Sequence, residues 1–180
     1  MWQKLGKSYP PQIEILPLFL LFLNIYLTAT NYAGLPDSVP THFNLQGVPD
    51  EWGSKGEMLV FPIMGAVIYI FLTVINVLFG IVKDPRTLIN LPPKVKKAMN
   101  VARLEELRVS LNRSLFVLKI LIEGLLLFST YMTISVALQR ADDLGAVWFM
   151  FLVAILAVAG YMVWKSFSLA NTSGPKTPHT

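Results

Sequence analysis

Four apolar blocks divide this chain, and each is close to the length of about 20 residues that crosses a bilayer as a helix. The blocks cover residues 15–33, 58–82, 114–138 and 146–164. No water is available inside a bilayer to hydrogen-bond the backbone, so such blocks must be helices that satisfy their own amide groups. The alternating pattern of barrel strands is missing. The sequence therefore predicts an all-α integral membrane protein, with four transmembrane helices in a single membrane domain over residues 1–180.

Composition narrows the classes of function. Only 14% of the residues are charged, against about 25% in soluble domains, which excludes a soluble enzyme. The chain has no cysteine, so disulfides, thiolate catalysis and cysteine-ligated metal sites are excluded as well. The sequence holds no nucleophile–base pair, phosphate-binding glycine loop or convincing metal cluster. We therefore expect no catalytic residues, no metal and no cofactor.

The distribution of Lys and Arg predicts the orientation. Twelve of the 15 basic residues lie before the first block, in residues 83–113 or after the fourth block, whereas the two remaining connections hold one each. By the positive-inside rule, both termini and the 83–113 segment face the cytoplasm, and the loop of residues 34–57 faces outward. Orientation thus accounts for the net charge of +4, and we expect no nucleic-acid partner.

The 34–57 loop contains several local structural signals. Residues 44–47 and 48–51 are rich in turn-forming residues, and Pro49 presets the second position of the second turn. Ser54 and Glu57 have the S-x-x-E spacing of a capping box directly before the second apolar block. Trp52 suits an aromatic anchor at the level of the lipid headgroups. These signals predict an ordered extracytoplasmic loop.

The stretch PTHFNLQGVPDEWGSK resembles the signature of a bacterial membrane domain family of unknown function, found at the N-terminus of SdpI-type toxin immunity and signalling proteins. The order of helix, outer loop, helix and basic segment agrees with that family as far as about residue 90, and SdpI-type proteins are longer, with additional membrane helices. The resemblance implies a multi-pass protein of the bacterial cytoplasmic (inner) membrane with a sensor or immunity role. It rests on Pro40, His42, Phe43, Gly47, Pro49, Asp50, Trp52, Gly53, Ser54 and Lys55.

Three interpretations of this motif stay open. His42 with the carboxylates of Asp37, Asp50, Glu51 and Glu57 would make a metal site, but zinc normally takes three or four clear ligands. In the second interpretation, His42 forms hydrogen bonds that fix the loop, and Asp50 is a turn residue that accepts backbone hydrogen bonds. Lys55 then lies at the membrane edge or pairs with Asp50. The third is a binding surface in which Phe43 and Trp52 supply apolar anchors. The binding residues predicted for this surface are His42, Phe43, Asn44, Gly47, Pro49, Asp50, Trp52, Gly53, Ser54 and Lys55.

Polar side chains inside the apolar blocks form a second candidate site. Glu123 lies near the middle of the third block, and Lys119 precedes it by one helical turn, so the two side chains share a face and can pair. Lys119 can instead extend to the cytoplasmic edge. Asn24 and Asn76 fall at comparable depths, which allows all four side chains to form one polar cluster. We favour a packing role over a proton or ion path, because an isolated pair lacks the chain of groups that a relay needs.

The residue patterns of two further segments predict their structure. Residues 94–112, within the 83–113 segment, have an apolar and a basic face, which is typical of an amphipathic helix on the cytoplasmic membrane surface. The alternative is a docking site for a cytoplasmic protein partner. The tail of residues 166–180 is rich in Ser, Thr and Pro, and we expect it to be disordered.

Three functions are compatible with the sequence. The leading hypothesis is a non-catalytic, SdpI-like sensor, immunity or interaction protein that acts through the 34–57 loop. The second is an accessory subunit of a larger membrane complex. The third is a small transporter or membrane enzyme built around Glu123 and Lys119. The expected partners are the lipid bilayer and a protein, either in the membrane or at residues 94–112, and the sequence gives no oligomeric state.

Overall fold

The computed structural model describes residues 9–89 and 91–171, which form a bundle of long helices with a β-hairpin at one end. Short 3-10 turns lie at Pro11–Glu14, Lys55–Leu59 and Pro85–Thr87. The regular elements, in chain order, are α1 (Ile15–Tyr32), β1 (Ser38–Phe43), β2 (Pro49–Ser54), α2 (Val60–Ile81), α3 (Pro93–Ala98), α4 (Val101–Ala137) and α5 (Val147–Asn171).

Four helical segments are long and apolar enough to cross a membrane. Large apolar side chains cover their outer surfaces; Phe22, Val67 and Leu156, for example, are 62%, 61% and 70% exposed. Such continuous apolar surface exceeds what soluble proteins leave open to water. The prediction of a mainly helical, multi-pass membrane protein is confirmed. The four segments are Pro11–Tyr32, Lys55–Ile81, Val101–Ala137 and Val147–Ala170.

Helix α4 is the centre of the bundle and packs against α1, α2 and α5. It begins at Val101 because the side chain of Asn100 accepts the backbone N–H of Arg103 at 2.9 Å and so caps the first turn. Its 37 residues give a length of about 55 Å, whereas the hydrocarbon core of a bilayer is about 30 Å thick. The helix therefore extends well beyond the third apolar block of the sequence.

The 83–113 segment differs from the predicted surface helix. The backbone is extended at Met99 and Asn100, which separates α3 from α4. The guanidinium of Arg108 donates to the carbonyls of Phe79 and Gly80, at 3.0 and 3.3 Å, near the end of α2. The last carbonyls of a helix need such partners, so this segment folds back onto α2. Several of its apolar side chains are buried in protein, whereas Val101 is 73% exposed. With Phe79 of α2, they form a cluster of Ile89, Leu91, Met99, Leu104, Leu107 and Leu111.

Helix α5 is longer than the fourth apolar block. It continues to Asn171, so the disorder expected from residue 166 is wrong for residues 166–171. No proline or glycine interrupts this stretch, and Leu169 and Ala170 pack against the apolar cluster near the end of α2. The rest of the tail that was expected to be disordered, residues 172–180, lies outside the described residues.

The 34–57 loop contains an antiparallel hairpin that the sequence analysis did not predict. Ser38 pairs with Ser54 and Phe43 with Pro49, and the register is irregular on both sides of His42. The turn predicted at residues 48–51 is wrong, because residues 49–51 belong to β2. At its base, the hairpin joins the bundle through a buried cluster of Leu35, Val39, Met58, Ile134 and Ala137.

Candidate functional sites

The tip of the hairpin is fixed by a short network around Asn44. Its side-chain oxygen accepts the backbone N–H groups of Gln46 and Val48, at 3.0 and 3.1 Å. Gly47 has a φ of +81°, which favours glycine, and its N–H donates to the carbonyl of Asn44 at 2.9 Å. The carbonyl of Gly47 accepts the N–H of Leu144 at 2.9 Å. The tip is thereby attached to the connection between α4 and α5.

The base of the hairpin contains the predicted capping box. The Ser54 N–H donates to the Glu57 carboxylate at 3.2 Å, and the Ser54 hydroxyl accepts from backbone N–H groups of the following turn. Gly53 lies so close to Glu57 that a side chain at residue 53 would collide with it. The Lys55 ammonium pairs with Asp37 at 3.0 Å, so the alternative in which Lys55 pairs with Asp50 is wrong.

Asp50 instead binds His42. The Nδ1 atom of His42 lies 2.6 Å from Oδ1 of Asp50, and their side chains are 60% and 43% exposed. The hydrogen bond and the negative charge of Asp50 raise the pKa of His42 above its usual value of 6.5, and Glu51 adds to the rise. A protonated His42 donates to Asp50. This contact crosses the hairpin and holds its two strands together.

The carboxylates considered as cation ligands are divided among separate contacts. Asp37 pairs with Lys55, Asp50 binds His42, and Glu57 caps the turn at Ser54. Within residues 9–89 and 91–171, no three His, Asp or Glu side chains come together in a way that could hold a metal ion.

The hairpin carries exposed apolar side chains. Trp52 is 51% exposed, as a binding residue requires, whereas Phe43 is half-buried and offers less surface than the sequence suggested. Leu45 and Val48, at the tip, are 76% and 43% exposed, and the sequence analysis did not select them. Leu45 lies between the turn residues Asn44 and Gly47, and Val48 directly follows Gly47; this placement at a turn was the signal that could have identified them.

Inside the bundle, Lys119 is fully buried and its ammonium group has three acceptors. It donates to the carboxylate of Glu14 at 2.6 Å, the hydroxyl of Tyr9 at 2.7 Å and the hydroxyl of Thr73 at 2.9 Å. An ammonium group has three hydrogens, so its donor capacity is used completely. The ring of Tyr69 lies 5.3 Å away and adds a cation–π contact.

Glu123 does not pair with Lys119 in the manner the sequence predicted. Its side chain is fully buried, and neither carboxyl oxygen has a hydrogen-bond partner among the described residues. Oε2 lies against Gly65 of α2, where an added Cβ would approach it to 3.1 Å. Glu14 takes the place of Glu123 because it can approach the ammonium from the turn before α1.

Asn24 and Asn76 do not join Lys119 and Glu123 in one cluster. Asn24 accepts the hydroxyl of Thr130 at 2.7 Å, and Asn76 donates to the side chain of Asn112 at 2.7 Å. The prediction of a single polar cluster is therefore wrong. Three separate contacts connect α4 to α1, to α2 and to the turn that precedes α1.

The partners in these three contacts were not predicted from the sequence. Glu14 stands directly before the first apolar block, at the same predicted membrane edge as Lys119, and this was a usable signal. Tyr9, Thr73, Asn112 and Thr130 gave none, because hydroxyl and amide side chains are common in and beside membrane helices.

Comparison with known proteins gives a match to one family model but no function. Residues 19–66, which run from α1 through the hairpin into α2, match the model of a family described as Domain of unknown function (DUF1648). An uncharacterized protein of Archaeoglobus fulgidus is 28% identical over 164 residues, covering 89% of this chain and 86% of that protein. No solved structure matches. The resemblance to a membrane domain family of unknown function is confirmed, while these matches contain no link to SdpI-type proteins. The chain is a multi-pass membrane protein whose residues 19–66 match the DUF1648 family model.

Proposed function

We propose that this protein is a non-catalytic membrane protein that recognises a protein partner through the face of its hairpin. The hairpin face consists of His42, Leu45, Val48 and Trp52. Such a role is of the SdpI-like sensor or immunity type implied by the resemblance of residues 40–55. The observation that carries the proposal is an ordered hairpin whose apolar side chains Leu45 and Trp52 stay 76% and 51% exposed.

The physical argument concerns the cost of binding. A flexible loop loses conformational entropy when it binds, and this cost reduces the affinity. Here the turn at Asn44, the contact from Gly47 to Leu144 and the capping box at Ser54 already hold the backbone. Trp52 is a tryptophan, one of the residue types that most often carry the binding energy of a protein interface. The exposed side chains are thus presented in a fixed arrangement.

The proposal places the hairpin outside a cytoplasmic membrane and both termini inside the cell. The basic residues of the 83–113 segment support this orientation, because they lie at the opposite end of the bundle from the hairpin. The chain has no native cysteine, so single thiols can be introduced at exposed positions. In intact cells, an impermeant thiol reagent should label the Gln46→Cys variant and not the Lys94→Cys variant. The reverse pattern would refute the orientation.

Site-specific photocrosslinking in native membranes tests recognition directly. A photoreactive amino acid at position 45 or 52 should give one discrete protein adduct. The matched control is position 142, an exposed polar position in the connection that the hairpin tip contacts. With the photoreactive amino acid at position 45, the His42→Ala and Trp52→Ala variants, if they remain folded, should lose the adduct. Equal crosslinking from position 142, or adducts with lipid alone, would contradict a recognition role.

A role as a subunit of a larger complex is the second candidate, and the exposure of α5 favours it. None of the most apolar stretch of α5 is buried within the protein. A groove of about 800 Å³ lies between α4 and α5, with Val117, Ala157 and Tyr161 in its lining. A Cβ built on Gly160 meets nothing within 4 Å. A partner helix can approach closely along small residues of this kind.

Purification in a mild detergent distinguishes the two roles. A subunit should co-purify with another protein in fixed stoichiometry, and Gly160→Leu should disrupt that complex while the isolated chain stays folded. If Gly160→Leu has no effect and the hairpin variants abolish the complex, the recognition role is favoured instead.

A further inference from the structure

Glu123 differs from every other glutamate of this chain. Glu14 pairs with Lys119, Glu57 caps the turn at Ser54, and Glu51 is exposed to solvent. Glu105 and Glu106 pair with Arg108 and Lys165. Glu123 is fully buried, and neither of its oxygens has a hydrogen-bond partner within residues 9–89 and 91–171. An ionised carboxylate in such surroundings would be costly, because no hydrogen-bond donor among the described residues replaces its hydration.

The nearest cation does not remove this cost. Lys119 lies one helical turn before Glu123, but its three hydrogens are donated to Tyr9, Glu14 and Thr73. The positive charge of Lys119 is already balanced by Glu14, at 2.6 Å. An ionised Glu123 would leave the buried cluster with one unbalanced negative charge.

The packing around Glu123 limits what else can neutralise it. Oε2 lies over Gly65, beside Leu21 of α1 and Leu126 of its own helix. A single added Cβ on Gly65 would already come within 3.1 Å of Oε2 and of the Leu21 side chain. The titratable and charged groups that face this region are Lys119 on α4, Tyr69 on α2, and Glu14 and Tyr9 before α1. A metal ion or an organic cation would have to displace side chains, whereas a proton needs no space.

We propose that Glu123 is a proton-binding site within the membrane-spanning bundle. One of its oxygens carries a hydrogen at neutral pH, while Glu14 is the ionised carboxylate that pairs with Lys119. Uptake forms one O–H bond with a proton from water, and release breaks the same bond and leaves a carboxylate beside Lys119. That carboxylate then competes with Glu14 for the ammonium, which links proton release to the turn at Pro11–Glu14. The proposal does not depend on the recognition role of the hairpin.

Infrared spectroscopy of the full chain in lipid tests it. A protonated carboxyl group has a C=O stretch that is separate from the bands of carboxylates. With glutamate ¹³C-labelled at its side-chain carboxyl, the wild-type protein at pH 7 should show one such acid band, which moves on transfer to ²H₂O. Glu123→Gln should remove the band completely. Glu106→Gln, which changes an exposed glutamate of the same helix, should leave it unchanged.

Two outcomes would overturn the proposal. One is a wild-type spectrum at pH 7 with carboxylate bands only, and this result does not depend on how well any variant folds. The other is an acid band that persists at full intensity in a folded Glu123→Gln protein, because the proton would then belong to another group.

Discussion

The two ion pairs at His42–Asp50 and Lys119–Glu14 have the same length, 2.6 Å, in very different surroundings. The side chains of the first pair are 60% and 43% exposed, whereas those of the second are 0% and 16% exposed. The partners of the first are eight residues apart in sequence, and those of the second are 105 apart. Exposed pairs contribute little, because water and salt screen them, but loss of one partner from a buried pair leaves an uncompensated charge. The distance between the paired atoms therefore does not show which of the two ion pairs contributes more to stability.

Glu14→Ala should have the largest effect. It leaves the Lys119 ammonium buried without its carboxylate, and we expect the free energy of unfolding to fall by about 3–5 kcal/mol. Equilibrium unfolding in mixed detergent measures the change. The control is Glu106→Ala, which breaks the more exposed pair with Lys165 (2.7 Å) and should cost less than about 1 kcal/mol. Equal losses of unfolding free energy in the two variants would show that burial does not determine how much an ion pair contributes to stability.

Ser54→Ala should destabilise the hairpin base by about 0.5–2 kcal/mol, since it removes the hydroxyl that caps the turn before α2. The same unfolding assay applies, with hydrogen exchange at residues 54–57 to locate the change. Ser54→Thr keeps a capping hydroxyl and should recover most of the stability. If Ser54→Thr is as unstable as Ser54→Ala, the capping box is not the cause.

Thr130→Val should cost less, about 0.6 kcal/mol and at most about 1.7, because bonds between membrane helices are individually weak. The variant keeps the side-chain shape and removes the hydroxyl that Asn24 accepts at 2.7 Å. Thr30→Val is the control, since the Thr30 hydroxyl donates to Tyr26 of its own helix. A loss well above 2 kcal/mol for Thr130→Val would mean that this contact belongs to a larger network.

Asp50→Asn should have the smallest effect on the free energy of unfolding. Its main effect should be a change in the pKa of His42. Asp50 raises the pKa of His42, so the pair stabilises the hairpin at pH values below the usual 6.5 and loses that effect as the pH rises through the raised value. In Asp50→Asn, NMR titration of labelled histidine should show a lower His42 pKa. Glu51→Gln should lower it less, because the negative charge of Glu51 raises the His42 pKa less than the hydrogen bond and charge of Asp50 do. A larger shift in Glu51→Gln would refute this assignment.

The sequence predicted the features that depend on neighbouring residues. The four spans follow from length and apolar content, and the capping box joins Ser54 to Glu57, three residues later. The turn at residues 44–47 likewise follows from its own residue types. The hairpin pairing was missed because prolines at positions 40 and 49 are unusual in strands, although the edges of a two-stranded sheet accept them.

The polar contacts of the bundle could not be predicted in the same way. Lys119 and Glu123 share a helix face, so pairing was the natural expectation, yet Glu14 takes that place from 105 residues away. The choice between two carboxylates depends on how α1 and α4 cross, which helical periodicity does not specify. The apolar side of residues 94–112 posed the same problem, because periodicity cannot distinguish a surface that meets lipid from one that meets Phe79 and Ile89.

Helix α4 connects the two ends of the molecule as an uninterrupted rod. Near Val101 it carries Leu104 and Leu107 of one apolar cluster, and near Ala137 it carries Ile134 of the cluster under the hairpin. Its helical backbone is continuous from Val101 to Ala137, so the two clusters lie on one element of secondary structure. The Lys119–Glu14 contact lies midway along this helix, at equal distance in sequence from its two ends.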